Sequence, residues 1–269
     1  FAQAVSAKTG IPIDRIHVVL GDSALPAGPL SGGSGVTSSV LPAITHAVNA
    51  ALQSMATIAT NVPESPFQGM KAEEIVFSAG RLHLKSESPG KGIAFEEILK
   101  RANIRSARGE GKSISTDEDP TAQKYSLHSY GAQFVEVTWD PGIARLHVSR
   151  VVSVIDAGRI INLKPARNQV EGSVVMGVGM GIFEETHYDQ KSGHPINNNF
   201  ADYVVSTCAD APEIDVIFLD YPDLTLNEYG ARGVGEIGLA GIAPAITAAV
   251  YHATGVRVRE LPVKIENLL

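Results

Sequence analysis

Five glycines surround a single carboxylate in the stretch Gly230–Gly241, which reads GARGVGEIGLAG; they are Gly230, Gly233, Gly235, Gly238 and Gly241, and the acid is Glu236. Glycines at this density let backbone N–H groups come close to a ligand and take conformations closed to other residues. The apolar, alanine-rich stretch Leu239–Ala253 that follows, stopped by Gly255, predicts a helix. Glu236 is then expected at or near a helix N-terminus. Unpaired N–H groups and the positive end of the helix dipole attract anions there and favour an ionised carboxylate. An ionised carboxylate beside an anion-cradling loop suits a general base next to a charged cofactor. The same residues also suit a glycine-rich turn with one capping glutamate, and spacing alone leaves both open.

Two other stretches share this build of strand, glycine-rich or polar loop, and apolar helix: Gly32–Thr37 and Gly158–Gln169. If they open on one cavity with Arg232–Glu236, they bring backbone N–H groups, the Ser34 and Thr37 hydroxyls, the Asn162 and Gln169 amides, and the Arg159 and Arg232 cations. Such a set fits a ligand with phosphates and a fused heterocycle, because each side-chain amide offers both donors and acceptors. Taken singly, Gln169 is an ordinary surface residue and Leu25–Ser39 an exposed flexible loop. The latter is not a Walker A motif, since no Gly-Lys-Ser/Thr closes it. Asp22 follows a strand-like run and reads as a turn former. His128, His147, His187 and His194 lack metal-ligand spacing, and no Gly-x-Ser-x-Gly elbow is present.

Elements that would position these residues can be read in order. Phe1–Thr9 reads as the end of a helix stopped by Gly10, and Arg15–Leu20 as an alternating strand. Val40–Ala59 is an apolar helix. Glu74–Phe77 and Arg81–Lys85 form a hairpin around Ala79-Gly80, and Phe95–Ala102 is a short helix. Asn103–Gln123 is polar and rich in Gly, Ser and Asp; it is expected to be a mobile excursion holding the main internal division. Tyr125–Trp139 and Ala144–Ile155 alternate as an antiparallel pair around Asp140-Pro141-Gly142. Pro165 opens a helix that continues through Phe183. Its glycines 177, 179 and 181 cost helix stability, so they mark close packing against another element. Glu184–Tyr188 and Ile214–Leu219 read as strands, Ala201–Val205 as a short ordered piece, and Val256–Leu261 as an edge strand. The fold class expected is α+β. Two subdomains of mixed sheets covered by helices are expected, over 1–110 and 124–269.

The 269 residues carry a net charge of −7, which leaves no basic surplus for non-specific nucleic-acid binding. Cys208 is the only cysteine, which excludes an internal disulfide and a cysteine-held cluster. No apolar run is expected to reach the ~18 residues of a membrane span, and no signal peptide is visible. Phe1, in place of a methionine, opens directly on helix-like sequence, which is expected of a fragment or a processed chain.

Gly230–Pro262, reading GARGVGEIGLAGIAPAITAAVYHATGVRVRELP, resembles the C-terminal end of the molybdenum-binding large subunit of the xanthine dehydrogenase/aldehyde oxidase family. Val18–Ser34, Val151–Glu185 and Asn197–Val216 resemble it too, in collinear order over nearly the whole chain. The GVGE and NQVEG signatures are specific. The likeness is greatest to bacterial aldehyde oxidoreductases built from separate subunits.

That resemblance implies a site. Glu236 matches the catalytic base. Arg232, Gly233, Val234 and Gly235 match a loop holding the molybdopterin cofactor, and Gln169 a glutamine that hydrogen-bonds it near the metal. Arg159, Ile160, Ile161, Asn162, Leu163, Lys164 and Pro165 match a loop along its phosphates or dinucleotide part. Ser34 and Gly35 match another cofactor loop, from which Val36 departs because a hydroxyl residue is common there. No protein side chain is expected to bind molybdenum directly; the pterin holds it. The resemblance also implies the cytosine dinucleotide form of the cofactor, [2Fe–2S] clusters and FAD on an iron–sulfur subunit and a FAD subunit, and a bacterial cytoplasmic or periplasmic setting. The reaction implied is oxidation of aldehydes to carboxylic acids with water as oxygen source. Hydroxylation of N-heterocycles such as purines or isoquinoline is the alternative, and a non-catalytic assembly fragment the rival of another class. The family's upstream half carries further cofactor loops and most of the substrate pocket, so this chain alone is expected to be inactive.

Overall fold

The computed structural model of the protein describes residues 1–114 and 118–269. Its contacts divide into two compact units: Phe1–Ser31 with Val36–Lys124, and Gly32–Gly35 with Tyr125–Leu269. Helices lie beside a three-stranded sheet in each unit, the α+β architecture expected.

In the first unit, α1 (Ala2–Thr9) ends at Gly10, whose φ of 68° closes a left-handed cap. The long helix α2 (Val36–Asn61) follows, then β1 (Ile75–Ser78), β2 (Arg81–Leu84), β3 (Ile93–Ala94) and α3 (Phe95–Arg101). The three strands form an antiparallel sheet. Met55, Ala56 and Ala59 of α2 meet Phe67, Ile75, Leu82 and Ile98 in one apolar cluster. The alternation in Arg15–Leu20 does not make a strand. Ile13–Arg15 is a 3₁₀ turn, and Val18, Val19 and Leu20 are exposed with no ladder partner among the described residues. Asp22 takes the turn role, its Oδ1 accepting the Ala24 N–H at 2.9 Å.

Ser115–Asp117, within the stretch read as a mobile excursion, lie outside the described residues. The described part before them is packed rather than loose. A Cβ on Gly109 or Gly111 would come within 2.1 Å of the Ala47 or Ala43 carbonyl oxygen of α2, and His46 Nδ1 lies 2.7 Å from the Lys112 carbonyl. A short helix, α4 (Pro120–Lys124), closes the stretch.

The second unit is built on β4 (Tyr130–Asp140), β5 (Arg145–Asp156) and β6 (Glu213–Phe218). β4 and β5 are antiparallel around the Asp-Pro-Gly turn, with an irregularity at Glu136/Val137; β6 pairs with β5 in parallel. Period-two alternation buries Leu146 and Val148 on one face, and the irregularity, which leaves Ser149 unpaired, brings Val151 back to it; α5 (Leu163–Val178) and α7 (Ile242–Thr254) cover them there. Val174 and Val178 meet Ile242, Ile246 and Val250 there. The glycines near the end of α5 permit this approach. A Cβ on Gly177 would lie 2.5 Å from Ile242 Cβ, and one on Gly181 2.9 Å from Ile246 Cδ1. Beyond Val178 the helix widens into a π turn, Gly179–Phe183.

Four expectations for this unit are corrected. The helix after Glu236 is two pieces, α6 (Ile237–Ala240) and α7, because Gly241 interrupts it. Gln133 Cγ of β4 would lie 2.6 Å from a Cβ at Gly241, so the junction leaves no room for a side chain. Together the two pieces make an 18-residue window, Ile237–Thr254, that meets the length and composition of a membrane span. Ile242, Ile246 and Val250 of that window are fully buried in the unit's core. Glu184–Tyr188 forms only one isolated bridge, Tyr188 to Pro195. Val256–Leu261 pairs with no strand among the described residues; Val256 and Val258 pack against the core instead.

Candidate functional site

β5 delivers Asp156 to the edge of the core, where the residue is only 3% exposed. A carboxylate that deep needs partners. The Gly158 N–H donates to Asp156 Oδ1 at 2.9 Å, the Tyr130 hydroxyl donates to it, and Arg232 Nη2 lies 2.6 Å from Oδ1. Burial pushes the Asp156 carboxyl up, but these donors outweigh it and hold the group below the ordinary aspartate range. The same hydrogen bond holds the Tyr130 phenol above its usual value. Arg232 Nη1 also pairs with Asp223 Oδ2 at 2.9 Å. The guanidinium of Arg232 is thus ion-paired within the fold to Asp156 and Asp223. Its backbone N–H donates to the Ala157 carbonyl at 2.8 Å.

This network fixes the start of the glycine loop. The Arg159 N–H donates to the Gly230 carbonyl at 2.8 Å, and Gly158 bridges Ala231. Gly230, at φ 66°, has Pro222 Cβ only 2.7 Å from where its own Cβ would be; glycine alone fits. Asn227 holds the next residue through Nδ2 to the Ala231 carbonyl at 2.8 Å. Ser129 Oγ donates to the Gly233 carbonyl at 2.5 Å.

Downstream, three segments distant in sequence meet. The Glu236 N–H donates to Ser34 Oγ at 2.8 Å. Ser173 Oγ of α5 lies 2.8 Å from the Gly235 carbonyl and 2.7 Å from the Gln169 carbonyl. A Cβ on Gly235 would sit 2.9 Å from Ser34 Oγ and 3.2 Å from Gln169 Nε2. A Cβ on Gly233 would sit 3.0 Å from the Ser34 carbonyl oxygen. Glu236 is the residue preceding α6 and is exposed; among the described residues no donor or cation engages its carboxylate.

The structure therefore gathers Ser34, Gln169, Gly233, Gly235 and Glu236 within the second unit. Ile160 and Val234 share an apolar cluster with Ile155, Ala157, Val170 and Val216, which joins the second predicted loop to the first. Asn162 precedes α5 and accepts the Ala166 N–H through its carbonyl at 3.2 Å. Arg159, Leu163, Lys164 and Pro165 are exposed, and Ile161 is half-buried. They lie at the start of α5. Gly35 accompanies Ser34, its N–H donating to the Gly32 carbonyl at 3.2 Å. Thr37 falls in α2 of the first unit. Two open cavities, each about 370 Å³, are lined by Ile143–Val148 with Phe183 and by Thr57–Pro63 with Arg101, and by none of these residues.

Tyr130, Asp156, Ser173 and Asp223 were not singled out from the sequence. Only Asp156, ending a strand before Ala-Gly, carried a local signal. What the gathered residues can hold follows from their chemistry. A glycine backbone stripped of side chains lies beside one exposed amide, one hydroxyl and one unengaged carboxylate, which fits a polar, hydrogen-bonding cofactor. Arg232 Nε and Nη2 are buried and without a hydrogen-bond partner among the described residues, although Nη2 is ion-paired with Asp156.

The family profile described as molybdopterin cofactor-binding domain matches residues 1–212. The aldehyde oxidoreductase molybdenum-binding subunit PaoC of Escherichia coli K12 is 34% identical over 271 residues, covering 100% of this chain and 34% of that protein. The xanthine dehydrogenase molybdenum-binding subunit of Escherichia coli O157:H7 is 28% identical over 274 residues, covering 100% of this chain and 35% of that protein. The aldehyde oxidoreductase of Desulfovibrio desulfuricans has the same fold over 99% of this chain and 26% of its own, with a TM-score of 0.70 and 23% identity. The chain spans about a third of the length of the curated relatives it matches.

Proposed function

Because the chain belongs to the molybdopterin cofactor-binding domain family, we propose that it is the part of a molybdenum hydroxylase that cradles the cofactor and presents Glu236 as the base. The observation that carries this is the meeting of Ser34, Gln169, Gly235 and Glu236 from three segments, with Gly235 needing to be glycine for the contact to exist. The Gln169 amide, the Ser34 hydroxyl and the Gly233–Gly235 backbone would hold the cofactor; Arg159–Pro165, at the start of α5, would lie along its phosphates. When bound, the molybdenum cofactor supplies oxygen transfer and accepts two electrons. This chain's contribution to the chemistry is the Glu236 carboxylate, which takes up a proton at an oxygen atom. Its exposed position leaves it free to face a group brought by the cofactor or substrate.

The whole polypeptide is proposed to oxidise aldehydes to carboxylic acids with water as the oxygen source. The dinucleotide form of the cofactor is proposed to be the cytosine one, with [2Fe–2S] clusters and FAD on partner subunits that carry the electrons away. The relative with 34% identity, named for aldehyde oxidation, supports this reading; the relative named for xanthine supports hydroxylation of an N-heterocycle instead. Turnover of benzaldehyde against hypoxanthine by the assembled complex separates the two, and turnover of neither overturns both. Aldehyde turnover by the isolated chain would contradict the proposal that it needs the remainder of the polypeptide.

A further inference from the structure

We infer that Ser34 and Ser173 form a clamp on one peptide group, Gly235–Glu236, and are positioning residues for the Glu236 carboxylate. The inference rests on the proposed role of Glu236 as base. The two hydrogen bonds fall on the two ends of the same planar unit. Its C=O lies 2.8 Å from Ser173 Oγ, whose single proton is shared between this carbonyl and that of Gln169 at 2.7 Å, and its N–H donates to Ser34 Oγ at 2.8 Å. A peptide plane has two polar handles, and here each is held by a hydroxyl from a different segment.

Such a clamp is needed at this point. Gly233, Gly235, Gly238 and Gly241 flank Glu236, and glycine leaves the backbone many conformations. The helix that follows has only 4 residues, too few to hold its own first residue by propagation. With the plane fixed, the Glu236 Cα is placed, and φ, here −91°, is the one backbone torsion left to set the direction of its Cα–Cβ bond. Misplacement of a reacting group by about 1 Å can lower a rate by about 10²-fold.

A second observation points the same way from the other partner. Ser34 has φ 57°, in the left-handed region that L-residues other than Asn and Asp seldom adopt. Its neighbours Gly32, Gly33 and Gly35 are the residues such a turn favours. A serine kept at positive φ inside a glycine run brings one thing glycine lacks, its hydroxyl, and that hydroxyl is bonded to the Glu236 N–H. Ser173 is likewise buried, at 9% exposure. Its Cβ stands 2.9 Å from the place a Cβ would take on Gly238, so α5 and the base-bearing segment are in direct backbone contact around it.

The test uses the full-length, cofactor-loaded complex, with rates expressed per bound molybdenum. Ser34→Gly relieves the backbone strain and so keeps or raises the melting temperature. It also frees the Glu236 amide, whose hydrogen exchange becomes at least about tenfold faster. Each of Ser34→Gly and Ser173→Ala lowers kcat about tenfold, or about 1.4 kcal/mol, with KM within about twofold. Because both bonds act on one peptide, the double variant falls no more than about threefold below either single one. Unchanged kcat together with unchanged Glu236 amide exchange in Ser34→Gly overturns the clamp. Glu236→Gln run alongside separates the failures. If it abolishes turnover while both serine variants keep theirs, only the clamp is wrong. If it keeps full turnover, the reading of Glu236 as base is wrong, and the exchange measurement still decides whether the clamp holds the peptide.

Discussion

Asp156→Asn removes one negative charge from a buried network and leaves its shape nearly intact. The residue is 3% exposed and faces Arg232, whose side chain is 10% exposed. Removing one partner of a buried ion pair costs about 3–5 kcal/mol. Arg232 keeps Asp223 at 2.9 Å, and the asparagine oxygen can still accept the Gly158 N–H, so about 2–3 kcal/mol is expected. For a unit of about 150 residues, each kcal/mol moves the melting temperature by about 2–4 °C. Thermal unfolding at neutral pH should therefore fall by about 5–10 °C. The pH dependence has a definite sign. Because the Asp156 carboxyl lies below the ordinary aspartate range, its stabilisation is complete above about pH 3.9 and is lost as pH drops through the lower folded value. The gap between wild type and variant should stay constant from neutral pH down to about pH 4 and close below that. A shift under about 2 °C, or a gap already closing between about pH 7 and 5, would refute the reasoning.

Other consequences follow from the packing. Gly177→Ala drives a Cβ to 2.5 Å from Ile242 Cβ and should destabilise the second unit by about 1–3 kcal/mol in urea unfolding. Gly10→Ala places a Cβ 2.5 Å from Ala79 Cα at a φ of +68°, so the first unit should unfold earlier while the second is unchanged. Arg150→Ala breaks an ion pair with Asp215 whose side chains are 49% and 43% exposed; its effect should stay below about 1 kcal/mol and vanish in high salt.

The parts of the fold legible in the sequence were those with a short-range signature. The Asp140-Pro141-Gly142 turn, the Gly255 helix stop and the glycines 177, 179 and 181 each act on neighbours within a few residues or on one packing face. Arg15–Leu20 and Val256–Leu261 alternate as strands do, yet alternation becomes a strand only where a partner offers its ladder, and none among the described residues does. The close approach that calls for glycine at 241 was hidden because its partner, Gln133, is more than a hundred positions away in the chain. The site divides similarly. Gln169, Gly235 and Glu236 were visible as motif residues. The groups that hold them, Asp156, Tyr130, Asp223 and Ser173, are ordinary polar residues whose role exists only once Asp156 and Arg232 meet across 76 positions and Ser173 and Gly235 across 62. The ion pairs of Arg232 are invisible in sequence too, because an exposed arginine and a buried, ion-paired one look alike there.

Glu236→Gln in the assembled, cofactor-loaded complex tests the central claim most directly. The amide preserves size and the backbone hydrogen bond to Ser34, but it cannot take up the proton. Assembly should stay intact and molybdenum content unchanged, while turnover falls by at least about 10²-fold, the scale of general base catalysis. Wild-type turnover at full molybdenum content would contradict the claim.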